Sequence, residues 1–351
     1  MKLVFYIARR YGIPVVKPII AYLQQHKPTY SYAFYTSREV QNAFPPEWDS
    51  ARILPHISAA RSYEPDAVLC TGNYVDYRIP GIKVQLFHGV GIEKASHYKI
   101  RHFFDLYCTC GPCVTEVFKR NARLYPYFEV AETGWPKFDH ILNYQAPKSS
   151  SAPELVTDSK TILYAPTFSR RLHSAWELLH TIPQIIEPHE RWIVKYHELM
   201  DAQWIAACKQ LAKKHAITLV GSSEDITPYL WESDIMISDT SSVIYEFIAL
   251  GKPVITYNTL GSDQKGYAIT QPGMLRKALD SVSKNPEYYV KKGLQELLKV
   301  NPYTDGLCSK RVIEAVEKQV QRVPTMHKKP LNLFRKAQVL WHYYFKKGYL
   351  D

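Results

Sequence analysis

The feature that most constrains the fold is a regular alternation of short apolar runs with longer helical segments. In the first half, apolar runs occur at residues 2–7, 32–35, 67–70, 84–87, 106–109 and 128–132. Helical patterns lie between them, for example at residues 19–25 and 115–123. Strands separated by helices form parallel sheets with helices on the faces. We therefore predict an open, doubly wound α/β domain over residues 1–145.

A polar, proline- and serine-rich stretch at residues 146–159 reads as a linker, after which the alternation starts again. Apolar runs then occur at residues 161–165, 192–196, 217–220, 235–238 and 253–257. We predict a second domain over residues 160–322 and a tail over residues 323–351. Two Rossmann-like domains facing a central cleft give a GT-B-like α/β architecture, and open α/β sheets bind ligands outside the carboxyl ends of their strands.

Composition narrows the class of partner. Hydrophobic residues make up 46% of the chain and charged residues 22%, which excludes wholesale disorder. The formal net charge of +11 favours anionic partners, but the basic residues are dispersed and carry no nucleic-acid-binding signature, so we predict no nucleic acid. No run approaches the roughly 20 apolar residues that span a bilayer, and six scattered cysteines fit a reducing compartment. We predict a cytoplasmic protein, with peripheral attachment to the inner face of the membrane as an extension.

The tail mixes lysine and arginine with large aromatic residues between residues 328 and 350. One interpretation is contact with an anionic membrane surface. The other is a closing helix that packs back on the first domain. Both require an apolar face.

The segment at residues 233–257 predicts a strand, a polar turn, a helix and a second strand. Asp239, Thr240, Ser241 and Ser242 lie at the expected helix start, where unpaired backbone N–H groups, the helix dipole and hydroxyls attract phosphate. The alternative is ordinary helix capping, since these residue types are the usual caps.

This segment resembles the Asp-Tyr-Ser-Ser-Val-x-x-Asp-Phe signature of bacterial CDP-glycerol glycerophosphotransferases, which build teichoic-acid-like polymers. Thr240 and Glu246 stand where that signature has Tyr and Asp. Other segments that resemble sequence blocks of the family occur in the expected order, at residues 87–94, 133–139, 162–168, 194–197 and 305–311. In the first of these, Val90 and Gly91 stand where the family has Thr and Pro.

The resemblance implies a transferase that moves glycerol phosphate, or a related polyol phosphate, from CDP-glycerol to an acceptor hydroxyl and releases CMP. The acceptor would be a polyol phosphate or a glycan-lipid in cell-surface polymer synthesis, and no cofactor or metal is implied. Two alternatives stay open. One is a nucleotide-sugar glycosyltransferase of the same fold, and the other is a non-catalytic peripheral protein that binds anionic lipid.

His88 is the first candidate for catalysis, because a histidine at a strand end can remove a proton from an attacking hydroxyl. The alternative is a structural histidine bonded to the backbone. His197 also ends a strand and is a second candidate, as a proton donor to the donor phosphate or to departing CMP. Gly89 and Lys94 are assigned to the acceptor side. The predicted donor and phosphate contacts are Thr167, Lys195, Asp239, Thr240, Ser241, Ser242 and Glu246.

A Cys-Gly-Pro-Cys sequence at residues 110–113, preceded by Cys108, is similar to thioredoxin-like redox centres and offers thiolates to zinc. Because no second ligand cluster accompanies it in the sequence, we interpret it as a tight turn between a strand and a helix.

Overall fold

The computed structural model describes residues 1–93, 95–145, 159–169, 171–197, 199–215, 217–221, 224–322 and 327–345. Lys94 and nearly all of the predicted linker lie outside these residues. The chain divides into two compact units, Met1–His140 with Lys299–Asp351 and Ile141–Leu298.

The bounds of most strands lie within two residues of the apolar runs that the sequence shows. They are β1 Lys2–Ile7, β2 Ser31–Thr36, β3 Ala67–Cys70, β4 Ile82–Gln85, β5 Leu106–Thr109, β6 Glu129–Glu132, β7 Lys160–Tyr164, β8 Glu190–Lys195, β9 Thr218–Val220, β10 Ile235–Ser238, β11 Val254–Tyr257 and β12 Tyr267–Ile269.

Most helices connect successive strands. They are α1 Ile13–His26, α2 Arg38–Gln41, α3 Ile57–Ser62, α4 Pro112–Leu124, α5 Lys137–Leu142, α6 Ala175–Ile185, α7 Ala202–His215, α8 Thr227–Glu232, α9 Val243–Ile248, α10 Leu275–Lys284, α11 Pro286–Val300, α12 Cys308–Arg322 and α13 Leu333–Phe345. Within the described residues, none of these helices combines the length and the apolarity that a bilayer crossing requires.

The first unit contains a six-stranded parallel sheet in the order β2-β1-β3-β4-β5-β6. Its central strands β3, β4 and β5 are buried throughout, as expected for a sheet that helices cover on both faces. The chain leaves β1 toward β2 and then returns past β1 to β3, so the strand order reverses between β1 and β3.

The second unit contains another six-stranded parallel sheet, in the order β12-β11-β10-β7-β8-β9. The chain moves outward through β8 and β9 and then restarts beside β7 at β10. This is the strand order of a Rossmann fold, with its reversal between β7 and β10. The predicted α/β class with two parallel sheets is confirmed. The short strand β12 was not predicted, because three residues give little periodicity.

The chain returns to the first unit at Lys299, earlier than the predicted end of the second domain. We expected the second domain to continue to residue 322, whereas α12 belongs to the first unit. Asp139 explains this packing, because its carboxylate accepts hydrogen bonds from the backbone N–H groups of Cys308 and Ser309, at 2.9 and 2.6 Å. Gly134 has φ +77°, and a Cβ there would lie 2.5 Å from Sγ of Cys308. The sequence blocks at residues 133–139 and 305–311 therefore hold α12 in place.

We expect Asp139→Ala to lower the stability of the first unit by about 2–4 kcal/mol, because two buried N–H groups at the start of α12 lose their acceptor. Urea unfolding followed by circular dichroism measures this change. Glu314→Ala is the matched control, since Glu314 lies on the same helix in an exposed pair with Lys310. Equal midpoints for the two variants would contradict the capping role.

Candidate active site

Three neighbouring strands bring the first candidate site together at the carboxyl edge of the first sheet. Tyr11 follows β1, Thr71 follows β3 and His88 follows β4. These strands lie beside one another at and next to the reversal of strand order. Such reversals leave a crevice outside the strand ends, where α/β proteins bind ligands.

The ring of His88 is held in one orientation although the residue is exposed. Its Nδ1 lies 3.1 Å from the backbone carbonyl oxygen of Thr71, and the ring of Tyr11 lies 4.6 Å away, centre to centre. A carbonyl oxygen can only accept, so Nδ1 carries the proton in the neutral ring. Nε2 is then the atom with the lone pair, which is the state that a general base needs.

The backbone just before His88 is strained. Phe87 has φ +55°, in the left-handed region that non-glycine residues rarely adopt. Trp135 Nε1 donates a hydrogen bond to the Phe87 carbonyl oxygen at 3.3 Å, and the buried Phe87 ring packs edge-on to Phe118 at 5.4 Å. Strand β4 therefore ends at Gln85, two residues earlier than predicted, and the turned backbone presents His88 beyond the strand. Strain that the surroundings maintain is frequent at functional sites.

Close approach of the backbone explains Gly12. A Cβ at this position would lie 2.4 Å from Oγ1 of Thr71 and 2.9 Å from Cγ2 of Ile7. Glycine thus lets the turn that carries Tyr11 approach the turn that holds His88. On the acceptor side, Gly89 is partly buried beside His88, and Lys94 lies outside the described residues.

In the second unit, Asp239 directly follows β10 and bonds to the loop after the neighbouring strand β7. Its carboxylate accepts hydrogen bonds from the Thr167 N–H, the Ser174 N–H and the Ser174 hydroxyl, each at 2.8 Å. Asp239 is fully buried. Burial raises its pKa, while the bonds from Thr167 and Ser174 act in the opposite direction. Asp239 therefore holds the loop after β7, and its carboxylate is shielded from solvent.

The remaining residues of the turn differ in exposure. Thr240 is nearly buried and its hydroxyl accepts from the Leu260 N–H at 3.0 Å. Ser241 and Ser242 are partly exposed, and the Ser242 side chain makes no capping bond to α9. Glu246 is 1% exposed in the middle of this six-residue helix. Compared with Asp239, Thr240 and Glu246, the two serines are therefore the residues that a ligand can reach.

His197 follows β8 and stacks near Phe168, with ring centres 4.4 Å apart. The backbone N–H of Leu199 donates to its Nδ1 at 3.1 Å. Because Nδ1 accepts, the neutral ring carries its proton on Nε2, the opposite arrangement to His88. Lys195 ends the same strand and donates to the Gly221 carbonyl at 2.6 Å. His197 is thus set as a hydrogen-bond donor.

Sequence reasoning missed Tyr11, Thr71 and Ser174. Thr71 was recognisable, because it begins a polar turn directly after the apolar run at residues 67–70. Tyr11 lies in a single 3-10 turn and Ser174 directly precedes α6. Neither position has a periodic pattern, and only the fold brings the two residues to His88 and Asp239.

The two buried cysteines near the start of α4, Cys108 and Cys110, are not reactive thiols. Cys108, Cys110 and Cys113 are unlinked. Burial raises the pKa of Cys108 and of Cys110 to about 12, which disfavours the thiolate that redox chemistry and metal binding require. Pro112 begins α4 directly after Gly111, as a tight turn between strand and helix predicts.

Two parallel, doubly wound sheets with polar loops at their reversals define a GT-B-like α/β protein. The structure is similar to that of the wall teichoic acid polymerase TagF, with a TM-score of 0.66 and 16% identity over 92% of this chain and 90% of that one. It is also similar to UDP-GlcNAc 2-epimerase from Neisseria meningitidis, with a TM-score of 0.65 and 17% identity over 91% and 100% of the two chains.

The profile of the CDP-Glycerol:Poly(glycerophosphate) glycerophosphotransferases matches residues 88–318. The chain belongs to this family, as its sequence blocks predicted. It is 26% identical over 212 residues to the teichoic acid ribitol-phosphate polymerase TarK of Staphylococcus aureus (strain NCTC 8325 / PS 47). That match covers 53% of this chain and 40% of TarK, so the chain spans less than half of this relative's length.

Proposed function

We propose that this chain transfers glycerol phosphate or a related polyol phosphate from a CDP-activated donor to an acceptor hydroxyl, at the inner face of the cell membrane. The acceptor is a polyol phosphate or a glycan-lipid of a growing cell-surface polymer. Family membership supports the reaction class, and a TagF variant soaked with CDPG supports the donor class. The observation that carries the proposal is the bond of His88 Nδ1 to the Thr71 carbonyl.

His88 serves as the general base. The acceptor oxygen attacks the β-phosphorus of the donor and gives its proton to Nε2 of His88, while the bond from the β-phosphorus to the bridging oxygen breaks. CMP leaves with the electron pair of that bond. Because Thr71 accepts from Nδ1, it also stabilises the imidazolium that forms.

The second unit binds the donor. His197 donates from Nε2 to a phosphoryl oxygen, and the hydroxyls of Ser241 and Ser242 add donors beside the loop that Asp239 holds. Donors aimed at phosphoryl oxygens stabilise the charge that accumulates there during transfer. Lys195 adds positive charge at the same strand end. Thr167 fixes the loop through its backbone N–H.

A donor panel tests the reaction. We expect CMP release from CDP-glycerol or CDP-ribitol with a polyol-phosphate acceptor, and no turnover of UDP-GlcNAc, measured by ion-exchange chromatography of the nucleotides.

In Ser241→Ala/Ser242→Ala we expect the donor KM to rise about tenfold or more, because bonds to a charged phosphate are lost. Ser281→Ala is the matched control, since its hydroxyl donates to the Lys277 carbonyl within α10 at 2.8 Å. Consumption of UDP-GlcNAc without CMP release would favour a nucleotide-sugar enzyme instead.

A further inference from the structure

Helix α13 presents an apolar stripe to solvent. Phe334 is 76% exposed and Phe345 is 69% exposed. Spacings of three and four residues place the stripe on one side of the helix, and its members are Leu333, Phe334, Ala337, Trp341 and Phe345. Tyr344 borders the stripe, and its hydroxyl accepts a hydrogen bond from Arg78 at 3.2 Å. A helix on a globular domain ordinarily buries such a stripe.

The opposite side of α13 attaches the helix to the first unit. Val339 is 5% exposed, the Arg78 guanidinium lies 4.5 Å from the centre of the Tyr343 ring, and Nζ of Lys336 lies 5.1 Å from that of Tyr77. The expected packing of the tail on the first domain is therefore present. It leaves the stripe, which we call the α13 stripe, facing outward.

The segment before α13 is anchored as well. Nζ of Lys329 donates to Asp105 and to the Phe103 carbonyl, both at 2.7 Å. The Asn332 amide donates to the Arg101 carbonyl at 2.9 Å. These bonds hold the start of α13 against the first unit, so the stripe has a fixed orientation.

A basic pocket of about 500 Å³ lies beside the start of α13. Its wall includes His102, Tyr125, Tyr127, Lys328 and Arg335. Among the described residues, neither Lys328 nor Arg335 forms an ion pair. Burial, and then the charge of Arg335, lowers the pKa of His102. The pocket therefore presents two cations and aromatic walls to an anion.

We propose that the α13 stripe and the basic pocket dock the first unit on an anionic phospholipid membrane, with a lipid phosphate in the pocket. Residues 327–345 contain four Lys and Arg residues and no Asp or Glu, which complements anionic headgroups. Tryptophan and tyrosine suit the boundary between water and lipid, because their rings join apolar bodies to polar tips. Aromatic and basic residues on one short helix are the composition of interfacial helices.

Charge argues against a second copy of this chain as the occupant. A symmetric dimer through the α13 stripe would pack residues 327–345, which contain basic but no acidic residues, against the identical segment of the other copy. Like charges facing each other across an interface oppose association. An anionic lipid surface instead neutralises them.

Vesicle sedimentation with the full 351-residue chain tests the docking. We expect binding to vesicles of phosphatidylglycerol and phosphatidylcholine, little binding to phosphatidylcholine alone, and weaker binding as salt increases. Lys328→Gln/Arg335→Gln should reduce the partition coefficient roughly 30-fold, since each basic side chain near an anionic surface contributes about a fivefold factor. Phe334→Gln/Trp341→Gln should reduce the partition coefficient at least as much. Brominated lipid should quench a smaller fraction of the tryptophan fluorescence of this variant than of the wild type.

Matched pairs elsewhere control for charge and hydrophobicity. Lys213→Gln/Lys214→Gln removes the same charge from exposed positions of α7. Tyr288→Gln/Leu298→Gln removes similarly exposed apolar side chains from α11. Both pairs should bind vesicles like the wild type. Equal losses in test and control pairs would overturn the proposal, as would concentration-dependent dimerisation that the stripe variant abolishes while no vesicle binding occurs.

The docking uses no step of the proposed transfer, although a lipid-linked acceptor makes it useful. CMP release to a water-soluble acceptor should therefore stay at the wild-type rate in all four variant pairs. Vesicle binding without any CMP release would remove the proposed function and leave the docking intact. CMP release without vesicle binding would do the reverse.

Discussion

His88→Ala should lower kcat for CMP release by about 10²- to 10⁴-fold, the range that a positioned general base contributes. The loss follows from the geometry, since the Thr71 carbonyl and the Tyr11 ring fix the imidazole with Nε2 as the proton acceptor. His88→Gln should be equally impaired, because an amide can hydrogen-bond but cannot take up the proton. Initial rates with saturating donor and acceptor measure the effect.

The controls for His88 separate catalysis from folding. His88 is exposed, so both variants should unfold at the wild-type temperature. His180→Ala, at an exposed position of α6, should retain full activity. Tyr11→Phe should keep most of the rate, and Tyr11→Ala should lower it because the ring beside the imidazole is lost. A rate for His88→Ala within threefold of the wild type would refute the role of base.

The parts of this protein that the sequence predicted are those that local pattern determines. Buried parallel strands read as continuous apolar runs, so β3 and β10 were predicted at their observed bounds. His88 was chosen as a candidate because a histidine and a glycine directly follow such a run, and its catalytic role remains a proposal. Family blocks then placed the chain among the glycerophosphotransferases.

The parts that escaped prediction depend on contacts between distant residues. Nothing local shows that Asp139 caps a helix that begins at Cys308, so the second domain was extended too far. Likewise, an aspartate after a strand suggested a ligand contact at Asp239, whereas the structure buries this carboxylate inside the second unit. Residue type constrains which chemistry is available, and packing decides where the side chain points. For α13 the pattern predicted an apolar face but not that this face would be exposed.

Asp239→Ala should destabilise the second unit by about 2–5 kcal/mol, because the buried N–H groups of Thr167 and Ser174 lose their acceptor. The loop between these residues should then loosen, and the donor KM should rise. Thermal unfolding and donor titration of the same samples measure both effects. Asp263→Ala removes an exposed carboxylate of the same unit and should change neither.

Asp239→Asn gives a second test through pH, with its sign set by burial. Burial raises the pKa of Asp239 above its ordinary value, so the folded state holds this proton more tightly than the unfolded state. The contribution of Asp239 to stability is therefore greatest below its unfolded pKa and declines as pH rises through its folded pKa. Because asparagine does not titrate, the free energy of unfolding of the wild type minus that of Asp239→Asn should fall from pH 3.5 toward neutrality, to an extent of about 1.4 kcal/mol for each unit by which the pKa is raised. A difference that rises with pH would show that the bonds from Thr167 and Ser174 outweigh burial and stabilise the carboxylate as an anion.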